Sequence, residues 1–150
     1  MRREQALEEL RDSFRGILAS VRRLKGRDTH RPGEASFAQL HLLFTLAEHD
    51  ELPTSQLASL AELSPATATQ LLDGLEAIGL VERSRSTSDR RIVVCSPTER
   101  GRNLVEEKRT RWERYFHERL SEFTAAEIAT AAAVLDRMRT MYDEIDAESG

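Results

Sequence analysis

A chain of 150 residues is one domain or a small domain with a helical extension, and its 32% charged residues favour long helices with solvated faces. The formal net charge of -4 does not indicate a nucleic-acid partner, so any DNA contact must depend on a local basic patch. The single cysteine, Cys95, excludes an intramolecular disulfide and a CxxC zinc site. The chain shows neither a signal-peptide pattern nor an apolar run near the ~20 residues that span a bilayer, so we expect a cytoplasmic protein with no membrane partner.

The first half of the chain shows helical periodicity. Apolar residues three and four positions apart predict a long helix over residues 4–25, and their mean step of 3.5 is typical of a helix packed along another helix. A polar break over residues 26–35, with Pro32 and Gly33, separates it from a second helix capped by Ser36. The buried face of that second helix is predicted as Phe37, Leu40, Phe44 and Ala47.

Two short helices and a hairpin follow. Thr54 is predicted to cap the first of these helices, and Ser64 with Pro65 opens the next one, which Gly79 ends. Two short apolar runs, at residues 80–81 and 92–94, flank a polar, basic tip and predict a β-hairpin.

The rest of the chain predicts two long helices. Pro97 and Thr98 are expected to start the first, and Thr124 to cap the second. The element order is therefore α-α-α-α-β-β-α-α, and the fold class is mainly α with a small β-hairpin.

The helix opened by Pro65 has the features of a DNA-reading helix. Its buried arc leaves small and polar side chains exposed near the N-terminus, where a helix lying in the major groove reads base edges. Gln70 can bond adenine through both the oxygen and the nitrogen of its side-chain amide, while Asp73 must point out of the groove or orient a neighbour, because phosphates repel it. The alternative is an ordinary solvated helix surface.

Arginines are concentrated in the hairpin. Four of them lie within nine residues, opposed there by Asp89 alone. An arginine that enters a narrow minor groove gains from the negative potential there, and Asp89 can hold such an arginine in place. Two helices followed by a basic hairpin are typical of a winged helix-turn-helix, whereas a solvated polar turn is the alternative. The arginines are Arg83, Arg85, Arg90 and Arg91.

These residues resemble the wing of the MarR family of transcription regulators. Asp89, Arg91, Thr98 and Gly101 match the family's wing motif, while Pro97 stands where the family usually has leucine. Proline there costs an apolar contact but suits a helix start. The helix-turn-helix also looks like the family's, through residues 57–58, 64–65, 75–81 and 83.

The resemblance implies a homodimer that binds double-stranded DNA at a pseudo-palindromic operator, usually as a repressor that a small phenolic or anionic effector releases. It implies dimerisation segments at residues 1–35 and 99–150 around a DNA-binding domain at residues 36–98. The implied DNA-binding residues are Thr54, Ser55, Ser64, Ala66, Thr67, Thr69, Gln70, Arg83, Arg85, Ser88, Asp89, Arg90 and Arg91.

The two chain ends carry apolar stripes that exceed the needs of a small winged domain. The simplest use of these stripes is a helical dimer interface, and an intrachain core is the alternative. The candidate interface residues are Leu7, Leu10, Phe14, Leu135, Met138 and Tyr142. Arg15, Arg22 and His41 are candidates for an effector pocket, against surface salt bridges for the arginines and a core position for His41.

Other chemistry finds less support. Glu113 and His117 have a spacing that can chelate a metal, and His30 and His41 are candidates to complete such a site, but a Glu/His pair on a charged helix is usually solvated. Cys95 is expected to be an inert packed thiol. Because no catalytic motif and no Gly-rich phosphate loop is present, we expect neither an enzyme, nor a bound metal, nor a cofactor. The alternatives to a DNA-binding regulator are a winged-helix module that binds protein and a metal-sensing regulator.

Overall fold

The computed structural model describes residues 1–26 and 33–150, which form two compact units, Met1–Glu107 and Lys108–Gly150. The fold is mainly helical with one small antiparallel sheet, as predicted. Pro32 and His30 lie outside the described residues. The elements are α1 (Arg3–Gly26), α2 (Phe37–Ala47), β1 (Leu52–Pro53), α3 (Thr54–Leu60), α4 (Pro65–Ala77), β2 (Val81–Arg85), β3 (Val93–Pro97), α5 (Glu99–Arg119) and α6 (Ala125–Ser149).

Three of the predicted helix caps are confirmed. The Ser36 hydroxyl accepts the Gln39 amide at 3.1 Å while the Gln39 side chain accepts the Ser36 amide at 2.8 Å, which makes a reciprocal capping box. Thr124 makes the same arrangement with the residue three positions on, and the Ser64 hydroxyl accepts the Thr67 amide. Each cap satisfies backbone N–H groups that the first helical turn leaves without partners.

The predicted cap at Thr54 is wrong. Thr54 is the first residue of α3, its N-cap position is occupied by Pro53, and no side chain caps this helix. The Thr54 hydroxyl instead donates to the Val93 carbonyl at 3.2 Å and lies 3.3 Å from the Cys95 sulfur. The reason is the neighbouring strand β1, which brings the start of α3 against β3.

A third strand extends the predicted hairpin into a sheet. The strand order is β1-β3-β2, with both pairs antiparallel, so that Cys95 pairs with Leu52 on one side and Arg83 on the other. β1 contains only two residues and one of them is a proline, which removes the alternation and the propensity by which a strand is recognised.

Pro97 does not start a helix, contrary to the prediction. It is the last residue of β3, where it pairs with Val81, and it is fully buried. The strand pairing holds Pro97 in the sheet, so α5 begins at Glu99. The apolar contact expected to be lost at this junction is therefore kept by the proline ring.

The hydrophobic core lies among α2, α3, α4, the sheet and the start of α5. The predicted single face of α2 is wrong: Phe37 is exposed, while Leu42, Leu43 and Leu46 are fully buried. Because α3, α4 and the sheet surround α2, its apolar residues cover more than one stripe. The core residues are Leu42, Leu43, Leu46, Leu52, Leu57, Ala61, Leu72, Leu75, Leu80, Val81, Cys95 and Val105.

The helices at the two chain ends differ from this core. Neither α1 nor α6 contains a buried residue. Leu7, Leu135 and Tyr142 are all exposed. Across residues 1–26 and 33–150, no helix combines the length and the apolar character required to cross a bilayer.

Candidate nucleic-acid interface

The first turns of α4 present an exposed polar surface. Ala66, Thr67, Thr69 and Gln70 are exposed, whereas Ala68 and the two leucines Leu72 and Leu75 on the opposite side are fully buried. This is the arc that the sequence predicts. The Ser64 hydroxyl already has two partners within α4: it accepts the Thr67 amide as the helix cap and donates to the Thr67 hydroxyl at 2.8 Å.

The acidic residues of α4 are bound by Arg83 of β2. The Arg83 Nη2 donates to Asp73 at 2.6 Å and its Nε donates to Glu76 at 2.8 Å, so one guanidinium bridges two carboxylates on the helix. The Arg83 side chain is only 24% exposed. The bond with Glu76, followed by that with Asp73, raises the pKa of Arg83 above its ordinary value. Asp73 thus orients a neighbour, which was one of its two predicted roles.

The C-terminus of α4 is held by the start of α5. Gly79 has a φ of 76°, in the left-handed region that glycine accepts, and its carbonyl receives the Thr98 hydroxyl at 2.7 Å. Arg100 donates to the Ile78 carbonyl at 2.8 Å. A cation at this end complements the helix dipole. The role of Arg100 was not predicted, since no local signal connects it to a helix that ends more than twenty residues earlier.

Gly101 permits the close approach at this junction. Its amide donates to the Thr98 hydroxyl at 3.1 Å, and a Cβ at this position would overlap the Leu80 carbonyl oxygen. Thr98 and Gly101, two of the residues that match the MarR wing motif, therefore serve the base of the wing rather than its tip.

The wing tip contains a local ion pair. The Asp89 carboxylate accepts the backbone N–H of Arg91 at 3.0 Å, and its two oxygens accept Nε and Nη2 of the same guanidinium, each at 3.1 Å. These bonds with Arg91 lower the pKa of Asp89 below its ordinary value. The predicted pairing of Asp89 with an arginine is confirmed, and the Arg91 side chain nevertheless remains 91% exposed.

The remaining wing residues surround this pair. Arg85 reaches across the hairpin and donates to the Arg90 carbonyl at 3.1 Å. The Arg90 guanidinium is exposed and has no hydrogen-bond partner within residues 1–26 and 33–150. Ser88 is exposed and its hydroxyl lies 3.0 Å from that of Ser86. The tip therefore presents two arginine side chains, Arg90 and Arg91, to the outside.

The two residues predicted at the start of α3 differ in their surroundings. The Thr54 hydroxyl is partly buried against β3, as described above, while Ser55 is exposed in the first turn. Ser55 is therefore the more accessible of the two.

Comparison with known proteins identifies the family. The sequence model described as "MarR family" matches residues 36–93. The uncharacterized HTH-type transcriptional regulator YdgJ of Bacillus subtilis (strain 168) is 34% identical over 112 residues, which cover 75% of this chain and 68% of YdgJ. The chain belongs to the MarR family. It is a DNA-binding transcription regulator and not an enzyme.

Solved structures with the same fold include other MarR-type regulators. FabT of Streptococcus pneumoniae in complex with DNA has a TM-score of 0.74 at 22% identity, with 96% of this chain and 99% of FabT covered. BpsR of Bordetella bronchiseptica, solved in a study of how 6-hydroxynicotinic acid regulates its DNA binding, has a TM-score of 0.60 at 23% identity, with 90% of this chain and 98% of BpsR covered. These similarities confirm the winged helix-turn-helix fold.

The candidate effector residues of this MarR-family chain are exposed. Arg15 pairs with Asp12 at 2.8 Å on the same helix, as the alternative held, and Arg22 is also exposed in α1. His41 is exposed in α2, so it is not the core histidine that was its alternative. The involvement of these three residues in an effector pocket stays a prediction.

The possible metal ligands do not form a cluster. Glu113 and His117 are exposed on α5. In the described part of the chain, no three His, Cys, Asp or Glu residues come together in a group able to hold a metal ion. Cys95 is fully buried, and burial raises the pKa of its thiol, which keeps it in the unreactive protonated form as predicted.

Proposed function

We propose that this MarR-family regulator is a homodimeric repressor, that it reads a pseudo-palindromic operator with α4 and the β2–β3 wing, and that a small molecule releases it. The observation that carries the proposal is the Asp89–Arg91 pair, which holds an almost fully exposed arginine at the wing tip. An exposed arginine side chain that is already held in one orientation loses less conformational entropy when it binds an anion.

The major groove is the proposed site for α4. Ala66, Thr67, Thr69 and Gln70 form its exposed first turns, with Gln70 suited to adenine and the alanine methyl to thymine. Backbone N–H groups at the helix start favour a nearby phosphate. Ser55 is proposed to contact the DNA backbone from α3.

The minor groove is the proposed site for the wing tip. Arg90 and Arg91 carry exposed guanidinium groups. The acidic residue next to them, Asp89, already binds Arg91. A narrow minor groove has an enhanced negative potential that attracts such groups. The complex of FabT with DNA supports the use of this fold as a DNA reader.

Selection of bound sequences from a random DNA pool tests this proposal. We expect a two-fold symmetric consensus whose half-sites lie about one helical turn, ~34 Å, apart. The variant R90A/R91A should bind that consensus roughly 100-fold more weakly, with a salt slope lower by about two. The control R11A/R23A removes the same charge from exposed positions of α1 and should bind as the unchanged protein does.

Two results would contradict the proposal. If R90A/R91A bound as tightly as the unchanged protein, the wing would have no part in DNA binding. If the pool gave no consensus, a winged-helix module that binds protein would become the better explanation of the fold.

Dimerisation is proposed to use both chain ends, residues 1–35 and 99–150. The exposed apolar side chains of α1 and α6 support this, because large exposed apolar patches are typical of surfaces that bind another protein. Light scattering at micromolar concentration should give twice the 17.0 kDa mass of the chain. A stable, folded monomer would contradict the proposal. The candidate interface residues are Leu7, Leu135 and Tyr142, which are exposed, and Leu10, Phe14 and Met138, which are half-buried.

A small phenolic or anionic molecule is the proposed effector, with Arg15, Arg22 and His41 as candidate contacts. BpsR, whose DNA binding responds to 6-hydroxynicotinic acid, supports this ligand class. In a thermal-shift screen with 6-hydroxynicotinic and hydroxybenzoic acids, an effector should raise the melting temperature and release the operator. A compound that raises the melting temperature equally in R15Q/R22Q would exclude those arginines.

A further inference from the structure

We propose that Arg83 is a positioning residue, which fixes the wing against the recognition helix α4 and makes no contact with DNA itself. The inference rests on the proposed reading of DNA by α4 and the wing. It also changes the role of Arg83, which the sequence groups with the arginines that bind DNA.

The geometry of the Arg83 guanidinium supports this assignment. Its Nη2 and Nε donate to Asp73 at 2.6 Å and to Glu76 at 2.8 Å, two carboxylates three positions apart on one face of α4. Arginine is the residue whose planar fork suits such a double contact. With both acceptors on the helix, the guanidinium is directed toward α4.

Exposure separates Arg83 from the arginines at the tip. The side chain of Arg83 is 24% exposed, against 91% for Arg91. The two helix bonds use two of the five N–H donors of Arg83, so a phosphate that drew the guanidinium away from α4 would break them and leave Asp73 and Glu76 without a counter-charge. Arg83 therefore favours DNA binding more through the carboxylates it neutralises than through any phosphate it can reach.

The position of the contact in the hairpin gives it mechanical importance. Arg83 lies in the middle of β2, and the tip begins beyond Arg85. At about 3.3 Å per residue, the arginines of the tip lie on the order of 10 Å further along the hairpin. A small tilt of the hairpin at Arg83 is therefore enlarged at Arg91, which is how the contact at the middle of β2 would decide whether that arginine reaches a narrow groove.

A double-mutant cycle on operator affinity tests the proposal. In the unchanged background, R83Q should weaken binding by about tenfold; in the D73N/E76Q background, where no carboxylate remains to be bound, R83Q should change binding by less than about twofold. A loss in D73N/E76Q as large as in the unchanged background would overturn the proposal, because a direct DNA contact does not need the helix carboxylates.

R85Q is the matched control for this cycle. Arg85 lies on the same strand and donates to the Arg90 carbonyl instead of to α4. Its effect on operator affinity should therefore be the same in both backgrounds. An equal coupling for R85Q would show that D73N/E76Q disturbs the whole wing, and the specific role of Arg83 would be overturned.

Hydrogen exchange of the free protein gives a readout that needs no DNA. Peptides from the β2–β3 hairpin should exchange faster in R83Q and also in D73N/E76Q, while peptides from the buried α2 stay protected. Unchanged hairpin exchange in both variants would overturn the proposal. D73N/E76Q retains Arg83, so it serves this test even if R83Q does not fold.

The two proposals can fail separately. If the unchanged protein selects no operator, the DNA-reading function fails, while the exchange experiment still decides whether Arg83 fixes the wing. If the unchanged protein binds an operator and R83Q is additive with D73N/E76Q, only the positioning role fails.

Discussion

The base and the tip of the wing use the same residue type in opposite ways. At the base, Arg83 is bound by two carboxylates of α4 and is partly buried; at the tip, Arg91 is bound by Asp89, two residues away, and is almost fully exposed. The base also contains Gly101 and Thr98, which join it to the start of α5. The difference teaches that the partner of an arginine, and not its place in a basic segment, decides whether its side chain joins two elements or stays exposed to solvent.

The largest effect should come from Gly101→Ala at the base. A Cβ there would overlap the Leu80 carbonyl oxygen, a backbone atom that cannot turn aside, so we expect a loss of about 3 kcal/mol in the free energy of unfolding. Urea unfolding at fixed protein concentration measures it. Gly16→Ala is the control, because nothing lies near a Cβ there and alanine should stabilise α1 by about 0.5–1 kcal/mol. Equal stability of the two variants would contradict the tight base.

Thr98→Val should have the next largest effect. The Thr98 hydroxyl donates to the Gly79 carbonyl and accepts the Gly101 amide, so valine removes two hydrogen bonds from an almost unchanged shape. We expect a loss of about 1.5 kcal/mol in urea unfolding. Thr130→Val is the matched control, since its hydroxyl bonds only a carbonyl of its own exposed helix, and it should change little. A loss of the same size in both would mean that Thr98 has no special role.

Arg83 and Arg91 should differ in their effects on stability. Arg83→Gln removes a partly buried double contact and should lower the free energy of unfolding by about 1 kcal/mol, whereas Arg91→Gln should leave it unchanged within error. The operator affinity should fall in both variants. If Arg91→Gln lowered stability as much as Arg83→Gln did, the distinction between base and tip would be lost.

The smallest effect should be the acid titration of the tip. The Asp89–Arg91 bond lowers the pKa of Asp89 below its ordinary 3.8, so this contribution to wing order is complete above pH 3.8 and is lost as the pH falls through the lower, folded value. The NMR shift of the Arg91 amide, which donates to Asp89, should therefore titrate with a midpoint below 3.8. A midpoint at or above 3.8, or the same titration in Asp89→Asn, would contradict the pair.

The sequence predicts those features whose partners are close along the chain. The caps at Ser36, Ser64 and Thr124 each join residues three positions apart, and Asp89 lies two residues before Arg91. Such pairs are fixed by local geometry, which is why pattern analysis found them. The exposed arc of α4 was found for the same reason, since helical periodicity determines it.

Features with distant partners were missed or misjudged. β1 exists because Leu52 pairs with Cys95, the Thr54 hydroxyl is drawn to Val93, and Arg100 binds a helix end formed earlier in the chain. The residues next to these positions in the sequence carry no pattern that predicts any of these contacts. The two bonds of Arg83 to α4 were not predicted either: its acceptors lie seven and ten positions away on another element, whereas its immediate surroundings resemble those of the arginines at the tip.

The tip of the wing closes on itself within one short stretch of sequence. The Ser86 amide donates to the Ile92 carbonyl, Arg85 to the Arg90 carbonyl, and Asp89 holds Arg91. The donors and acceptors of these bonds are all encoded within residues 85–92. A single exchange of this segment between related genes would therefore transfer Arg91 together with the residues that orient it. The base cannot be exchanged in this way, because its partners are encoded in α4 and α5. Divergence among such regulators can therefore alter the loop at the wing tip in one step while α4 and α5 beneath it stay the same.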